Sequence, residues 1–288
     1  MIKNEIFQSF GPALELALLR NVQEAIEEDM GNCDYTGLLI DPSRRCKARL
    51  TCRDEAVVCG LPWFESVFKT LDATALLDWK VRDGDTVQPG TVICEIDGLA
   101  RPMLTAERSA MNYLQLLSGV ATRTQYFVRL VAGTPASILD TRKTLPGNRL
   151  AQKYAVRVGG GVNQRLALYD GILIKENHIA AAGGIELALQ RAEQVRGAHV
   201  TVQIEVENLT ELAIALKAGA VSVLLDNFDL QGLRDAVALN AGRAILEASG
   251  GVNESSVRAI AETGVDRISI GSLTKDVKAT DYSLRVLD

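Results

Sequence analysis

Basic side chains are concentrated in one stretch of the chain, between Asp140 and Glu176. This stretch holds seven cations and three acids, although the 288-residue chain carries a net charge of -5. Arginine presents a planar fork that can bind a carboxylate or phosphate at two points, and lysine adds a compact charge. The stretch therefore predicts a site for a small polyanionic ligand. The best candidates stand beside predicted strand ends or glycines, and they are Arg142, Lys143, Arg165 and Lys175.

Two acids and two glycine segments form a second set of candidates. Glu205 and Asp226 end successive predicted strands, where they could hold ribose hydroxyls, organise Mg²⁺ or stabilise a cationic transition state; in a purely structural role they would form salt bridges to nearby lysines. Barrels commonly bind phosphate through backbone N–H groups after their last strands. The residues at those places are Ser249, Gly250, Gly251, Gly271 and Ser272.

The elements that must position these residues form a regular series from about residue 120 onward. Short apolar runs alternate with amphipathic segments of helical length, which is typical of a parallel sheet covered by helices. The predicted strands are 137–139, 171–174, 201–206, 221–225, 244–247 and 266–270, and the predicted helices are 185–195, 209–218, 230–239 and 255–262. Six units in series favour a barrel, in which the carboxyl ends of the strands converge on one mouth.

The first hundred residues lack this alternation and predict a small α+β domain. Thr105 is interpreted as the N-cap of a long helix, with Glu107 in its first turn. Lys153 and Arg157 are four residues apart and are interpreted as a solvated helix face. Gly159, Gly160 and Gly161 match no dinucleotide or ATP motif, and predict either a close backbone approach or an ordinary loop.

Composition excludes several classes of function. The acidic net charge argues against general binding to nucleic acid or an anionic membrane, and no apolar run reaches about 18 residues, so we expect no membrane span, no secretion and a cytoplasmic location. The five cysteines lie in the first third without a C-x-x-C pair, which predicts reduced core thiols rather than disulfides or a zinc site. Two histidines are too few for a His-rich metal centre.

The sequence resembles the quinolinate phosphoribosyltransferases over nearly its whole length. The resemblance is strongest in six motifs that occur in the same order: "AERSAMNYLQLLSGVAT", "LDTRKTLPGNRLAQKYAVRVGGG", "NQRLALYDGILIKENHI", "IEVENLTELAIALKAGA", "LLDNF" and "LEASGGVNESSVRAIAETGVDRISIGSLTKDVKA". It implies an N-terminal open-sandwich α+β domain over residues 1–118, joined by the C-terminal segment 280–288, in which 282–286 return to the first domain. Residues 119–279 would form an incomplete α/β barrel of TIM-like type.

The resemblance also implies a reaction and a homodimer. Quinolinate and phosphoribosyl pyrophosphate would give nicotinate mononucleotide, pyrophosphate and carbon dioxide with Mg²⁺, in NAD biosynthesis. Each N-terminal domain would cap the partner's barrel, and Arg108 would enter the partner's active site. Quinolinate and pyrophosphate would be bound by Arg108, Arg142, Arg165, Lys143 and Lys175, the ribose would lie near Glu205 and Asp226, and the 5'-phosphate would be held by Ser249, Gly250 and Gly271.

One position departs from the family pattern. Gln164 stands in Asn163-Gln164-Arg165, where the family usually has a histidine that contacts the substrate. Glutamine cannot carry a proton charge, so either the affinity is altered or the contact is not essential. This keeps open a paralogous phosphoribosyltransferase, such as the molybdenum-associated relatives, that acts on another substrate. Two further classes also compete: an aldolase with Lys175 as its Schiff-base amine, and a non-catalytic binding protein.

Overall fold

The computed structural model describes residues 3–287, which form twelve strands and eleven α-helices. The strands are β1 (Arg45–Cys52), β2 (Ala56–Val57), β3 (Leu76–Trp79), β4 (Thr86–Val87), β5 (Val92–Leu99), β6 (Ser137–Leu139), β7 (Gly171–Ile174), β8 (Thr201–Val206), β9 (Ser222–Asp226), β10 (Ile245–Ser249), β11 (Arg267–Ser269) and β12 (Tyr282–Leu287). The helices are α1 (Glu5–Ser9), α2 (Pro12–Met30), α3 (Leu61–Leu71), α4 (Ala100–Leu130), α5 (Arg149–Val158), α6 (Glu176–Ala182), α7 (Ile185–Val195), α8 (Leu209–Lys217), α9 (Leu230–Asn240), α10 (Val257–Ala261) and α11 (Ser272–Lys275).

The chain divides into two compact units. The first contains the residues up to Gln125, Thr144–Gly160 and the residues from Thr274 onward, and the second contains Tyr126–Lys143 and Gly161–Leu273. The division expected from the sequence lies at 118/119 and places α5 in the barrel. In the structure α5 belongs to the first unit, because its Tyr154 packs within that unit's aromatic core.

The first unit is built on an antiparallel sheet with the strand order β12-β1-β5-β3, and β2 and β4 form a separate ribbon. The C-terminal segment that the resemblance assigned to this domain forms β12, which pairs with β1 along its length. Helices supply the rest of the core, in which the ring centroids of Trp63 and Tyr154 are 5.6 Å apart and Phe7 packs edge-on against both. Burial of such large rings contributes much of the driving force for folding this unit.

The long helix α4 begins five residues before the predicted N-cap, so the assignment of Thr105 is wrong. Helix α4 starts at Ala100, with Pro102 in its first turn, a position where proline is well tolerated. Thr105 lies inside the helix, and its hydroxyl donates to Asp34 Oδ2 at 2.6 Å. Pro102 is the sequence signal that should have moved the predicted start toward the N-terminus.

The second unit contains a parallel sheet of six strands in the order β6-β11-β10-β9-β8-β7. These strands coincide with the six predicted runs to within two residues at each end. The edge strands β6 and β7 do not pair with one another; the other neighbour of β6 is a single parallel bridge between Leu139 and Val162. The predicted incomplete α/β barrel is therefore confirmed.

The two faces of this sheet differ in polarity. The helix-facing side chains form the apolar core, as Ile204 and Val206 do on β8. The alternate residues on the same strand are Gln203 and Glu205, which are buried and polar. Since successive side chains of a strand point to opposite faces, the inner side of the barrel at β8 is lined by polar groups. The sequence predicted a parallel sheet covered by helices but not this polarity.

Two further expectations need correction. Lys153 is fully buried in the first unit instead of lying on a solvated face. All five cysteines are free, and Cys52, Cys59 and Cys94 are buried, but Cys33 is exposed and is not a core thiol.

Candidate active site

The candidate residues of the second unit follow strands of a single parallel sheet. Arg142 and Lys143 come after β6, Lys175 directly follows β7, and Asp226 and Ser249 end β9 and β10. Asp226 and Ser249 are partners in the register of β9 and β10, so they lie side by side. The sheet therefore brings these ends to one edge, as the sequence predicted from barrel geometry.

Two arginines of the second unit, Arg142 and Arg165, have buried donors, and the positive charge of Arg142 acts on Arg165. Their Nε atoms are both buried and have no hydrogen-bond partner among the described residues. Arg165 Nη1 donates to the carbonyl of Gly171 at 2.8 Å. Burial and the positive charge of Arg142 both lower the pKa of Arg165, and Asp170 offsets this only in part. An anionic ligand would relieve the repulsion and satisfy the buried donors.

Lys143 lies against the glycine at the end of the last strand unit. A Cβ atom on Gly271 would lie 3.0 Å from Lys143 Cδ and 3.6 Å from Thr141 Oγ1. Glycine at this position therefore lets the lysine side chain pass close to the backbone. Ser272 begins the short helix α11 immediately afterwards, so the basic segment after β6 and the predicted phosphate segment after β11 are neighbours.

Lys175 and Glu205 form an ion pair, with Nζ 2.9 Å from Oε2. The lysine side chain is 45% exposed, and the glutamate side chain only 9%. The salt bridge considered from the sequence is thus present for Glu205. A Schiff-base lysine needs a neutral amine in a desolvated pocket; a half-exposed ammonium held by a carboxylate is the opposite arrangement, which argues against an aldolase.

Asn227 connects the loops after β9 and β10. It was not among the residues predicted from the sequence. Asn227 has a φ of 57°. Its amide side chain donates to Asp226 Oδ2 at 2.8 Å, and its backbone N–H donates to the Ser249 carbonyl at 2.9 Å. A Cβ atom on Gly250 would lie 2.1 Å from Asn227 Oδ1. The Asp-Asn pair in "LLDNF" was the available signal, because asparagine tolerates left-handed backbone better than most residues.

Gln164 faces the interior of the barrel. Its Nε2 donates to Gln203 Oε1 at 3.0 Å, and Gln203 Nε2 donates to Glu247 Oε2 at 2.9 Å. Asp140 is fully buried and accepts both the Gln164 backbone N–H at 2.9 Å and Asn163 Nδ2 at 2.7 Å. Gln203 was not among the predicted site residues, because it stands within the apolar run 201–206; Glu247 was noted only as the polar end of the run 244–247 and was given no role.

A cavity of about 1280 Å³ lies at the opposite end of the strands. Its lining includes the first residues of five strands, which are Gly171, Thr201, Ser222, Ile245 and Arg267. Gln164 and Arg165 also line it, whereas Ser249, Gly250 and Gly271 do not. The amino ends of barrel strands usually serve stability, so we place the candidate active site at the carboxyl ends. Arg165 connects the two regions, because its segment follows Val162 beside the end of β6 and its guanidinium reaches Gly171 at the start of β7.

Arg108 belongs to the first unit, where its side chain is exposed on α4. Within residues 3–287 no cluster of three or more His, Cys, Asp or Glu side chains is arranged to hold a metal ion. None of the helices in that range is long and apolar enough to span a membrane.

Comparison with known proteins places both parts of the chain in one family. The family model described as "Quinolinate phosphoribosyl transferase, C-terminal domain" matches residues 120–285, and that of the N-terminal domain matches residues 34–118. Among curated proteins, a probable nicotinate-nucleotide pyrophosphorylase [carboxylating] of Bacillus subtilis (strain 168) is 40% identical over 259 residues, which cover 90% of each chain.

Solved structures agree with this assignment. The nicotinate-nucleotide pyrophosphorylase from Francisella tularensis superposes with a TM-score of 0.91 at 43% identity, covering 94% of this chain and 96% of that one. NadC from Streptococcus pyogenes gives a TM-score of 0.90 at 36% identity, with 95% and 98% covered. Sequence motifs, fold and relatives coincide, and the chain belongs to the quinolinate phosphoribosyltransferase family.

Proposed function

We propose that this protein is a quinolinate phosphoribosyltransferase, which joins quinolinate to phosphoribosyl pyrophosphate and releases nicotinate mononucleotide, pyrophosphate and carbon dioxide in NAD biosynthesis. The observation that carries the proposal is the pair of guanidinium groups of Arg142 and Arg165, with buried Nε donors that lack partners and mutual repulsion that an anion would relieve. Quinolinate is a planar dianion, and two arginine forks match two adjacent carboxylates.

The remaining candidates fit the second substrate. Ser249, Gly250, Gly251, Gly271 and Ser272 supply backbone and hydroxyl donors for the 5'-phosphate, and Lys143 and Lys175 neutralise charge on the pyrophosphate. Glu205 and Asp226 lie near the ribose, where positive charge develops as pyrophosphate leaves. Fixed carboxylates at that position stabilise the transition state more than the ground state.

Decarboxylation follows formation of the nucleotide. The bond from ring carbon 2 to its carboxylate breaks, the electron pair passes to the positively charged pyridinium ring, and carbon 2 then takes a proton. Before the ring nitrogen is alkylated there is no such electron acceptor, so the order of the two steps is set by the chemistry of the ring.

Mg²⁺ would be supplied with the second substrate. The carboxylate of Glu205 is paired with Lys175, and Asp226 accepts from Asn227, so these two acids do not form a dedicated metal cage. Mg²⁺ retains several waters and is commonly bound by one or two carboxylates together with substrate phosphates. This donor set fits Mg²⁺ carried by phosphoribosyl pyrophosphate, with Glu205 and Asp226 as direct or water-mediated contacts.

The active protein is a cytoplasmic homodimer with shared active sites. The exposed guanidinium of Arg108 extends from the first unit of one subunit into the barrel of its partner, where it adds a third arginine for the anionic substrates. The basis for this part of the proposal is the family resemblance of "AERSAMN" together with the exposure of Arg108.

The decisive experiment uses the purified protein with quinolinate labelled at its carbon-2 carboxylate, phosphoribosyl pyrophosphate and Mg²⁺. We expect labelled carbon dioxide and nicotinate mononucleotide in equal amounts. Nicotinate replaces quinolinate in the control, because it lacks one carboxylate and should be a poor substrate. Absence of both products would overturn the proposal and favour a paralogue acting on another substrate.

A further inference from the structure

The segment that carries Arg165 has little backbone support. It follows Val162, whose bridge to Leu139 lies outside the regular strands, and it crosses the side of the sheet where β6 and β7 do not pair. Such a segment has no strand ladder to fix it, so side-chain hydrogen bonds must hold it in place. Arg165 itself has a lowered pKa, which shows that its surroundings disfavour the charged guanidinium.

Besides the hydrogen bond from Arg165 Nη1 to the Gly171 carbonyl, two sets of hydrogen bonds hold this segment. On one side Asp140 accepts from the Gln164 backbone and from Asn163. On the other side the Gln164 amide reaches Gln203, and Gln203 reaches Glu247. Gln203 is 7% exposed and Glu247 is 1% exposed, so the second chain of bonds runs through the interior of the barrel.

The direction of the interior chain is set at Glu247. Burial raises the pKa of Glu247, and the hydrogen bond from Gln203 acts against this rise. When Glu247 is ionised it only accepts hydrogen bonds, so the amide of Gln203 turns its nitrogen toward Glu247 and its oxygen toward Gln164. The amide of Gln164 must then turn its own nitrogen toward Gln203. A side-chain amide has nearly the same shape in either orientation, and the buried carboxylate removes that ambiguity.

We infer that Gln203 and Glu247 are positioning residues of the active site, which hold the 163–165 segment through Gln164 and thereby aim Arg165 at the carboxylates of quinolinate. The inference rests on the proposed function for the identity of the ligand. It assigns a role to two buried polar residues of the barrel interior.

Three variants test the chain by steady-state kinetics. Glu247→Gln removes the charge that sets the orientation of the Gln203 amide. Gln203→Leu interrupts the series of hydrogen bonds between Glu247 and Gln164, and Gln164→Ala removes the last side chain of that series. We expect each to raise the KM for quinolinate by about 10-fold, the effect of losing one buried hydrogen bond, with the KM for phosphoribosyl pyrophosphate unchanged. If Glu247 affects quinolinate binding through Gln164, combining Gln164→Ala with Glu247→Gln should give no further rise in that KM.

A matched control separates positioning from general loss of stability. Asn240 is another buried amide of the second unit, and its side chain bonds to the backbone of Ala244. Asn240→Leu should lower thermal stability and leave the quinolinate KM unchanged. Equal losses for both substrates, or multiplied effects in the double variant, would overturn the inference.

Hydrogen exchange gives a second readout that needs no activity. Peptides covering 161–170 should exchange faster in Glu247→Gln and Gln203→Leu than in the wild type, with little change in peptides covering α9. If the wild type makes no nicotinate mononucleotide, the proposed function fails. The exchange result still decides whether the hydrogen bonds through Gln203 and Glu247 hold the 163–165 segment. Unchanged exchange in 161–170 would refute the positioning role.

Discussion

At the scale of single residues, the main feature is a pair of arginines prepared for an anion. A guanidinium carries five donors and stays charged in proteins, so leaving buried Nε groups without a partner costs free energy. Arg142 and Arg165 each have a buried Nε group without a hydrogen-bond partner among the described residues. The positive charge of Arg142 also disfavours the charged form of Arg165. Binding of a dianionic ligand would offset this cost. The stability of the unliganded fold therefore does not by itself explain why two such arginines are present.

Arg142→Ala should lower kcat/KM for quinolinate by about 100-fold or more, because it removes a bidentate contact to the substrate. Its melting temperature should match that of the wild type, since the side chain makes no described hydrogen bond through Nε. Arg234→Ala on α9, an exposed arginine of the same unit, is the matched control and should retain full activity. Near-normal turnover in Arg142→Ala would exclude Arg142 from the active site.

At the scale of elements, turns after the strands determine where the proposed phosphate donors lie. Gly250 has a φ of 103°, and a Cβ atom there would lie 2.1 Å from Asn227 Oδ1. The loops after β9 and β10 can therefore approach one another only if position 250 is glycine. The same close approach fixes Asp226 beside Ser249.

Gly250→Ala should destabilise the protein by about 1–3 kcal/mol through backbone strain and displace the loop. We expect the KM for phosphoribosyl pyrophosphate to rise by about 10-fold or more, because small shifts of a binding loop are costly. Gly242→Ala provides the control: its φ is also positive at 77°, but a Cβ atom would meet nothing within 4 Å. If both variants change the KM equally, the loop after β10 is not the phosphate site.

In the first unit, Asp83 connects the start of α3 with α5. Its Oδ1 accepts from the backbone N–H groups of Gly60 and Leu61, each at 3.1 Å, and its Oδ2 accepts from the Tyr154 hydroxyl at 2.6 Å. Burial nevertheless raises the pKa of Asp83 to about 6. Because the folded state then binds more protons than the unfolded state, Asp83 stabilises the fold most below its ordinary pKa, and this stabilisation is lost as the pH rises toward 6.

Asp83→Asn removes this titration. Between about pH 4 and pH 6 the unfolding free energy of the variant should therefore increase relative to that of the wild type. Urea unfolding followed by the fluorescence of Trp63 and Trp79 reports on the first unit, which contains both tryptophans. Tyr154→Phe removes a hydrogen bond that lowers the pKa of Asp83. This variant should therefore lose the stabilisation from Asp83 at a higher pH than the wild type. A constant difference between variant and wild type across the range would contradict the assignment.

At the scale of the whole molecule, the proposed active site needs residues from both units of the chain. Arg108 belongs to the first unit, and Arg142 to the second. In the proposed dimer the two come from different subunits, so each site is completed by the partner. Two-fold symmetric dimers, which are the commonest soluble oligomers, would complete two such sites at once.

Subunit mixing tests this arrangement. Arg108→Ala and Arg142→Ala should each be inactive, but a mixed dimer would contain one site in which both arginines are intact. Refolding an equal mixture should restore about one quarter of the wild-type activity, since half of the dimers are mixed and each has one working site. Activity that stays at the level of the single variants would show that both arginines act within one chain.

Much of the second unit follows from sequence periodicity alone. Apolar runs between amphipathic helices determined the six parallel strands, and the family motifs indicated the missing closure of the barrel. The basic stretch after residue 140 was likewise visible in the sequence, because charge is a local property. The order of the strands then brings Asp226 and Ser249 to the same edge.

Only the tertiary structure decided which polar residues are buried and what they contact. Lys153 has helical spacing typical of a solvated face, yet it is fully buried, and α5 belongs to the first unit because Tyr154 joins its aromatic core. Gln203 stands inside an apolar run and Glu247 ends one, and their connection to Gln164 depends on contacts between segments that are distant in the chain. Periodicity specifies which face a residue occupies, whereas its partners across the barrel depend on strand register and packing.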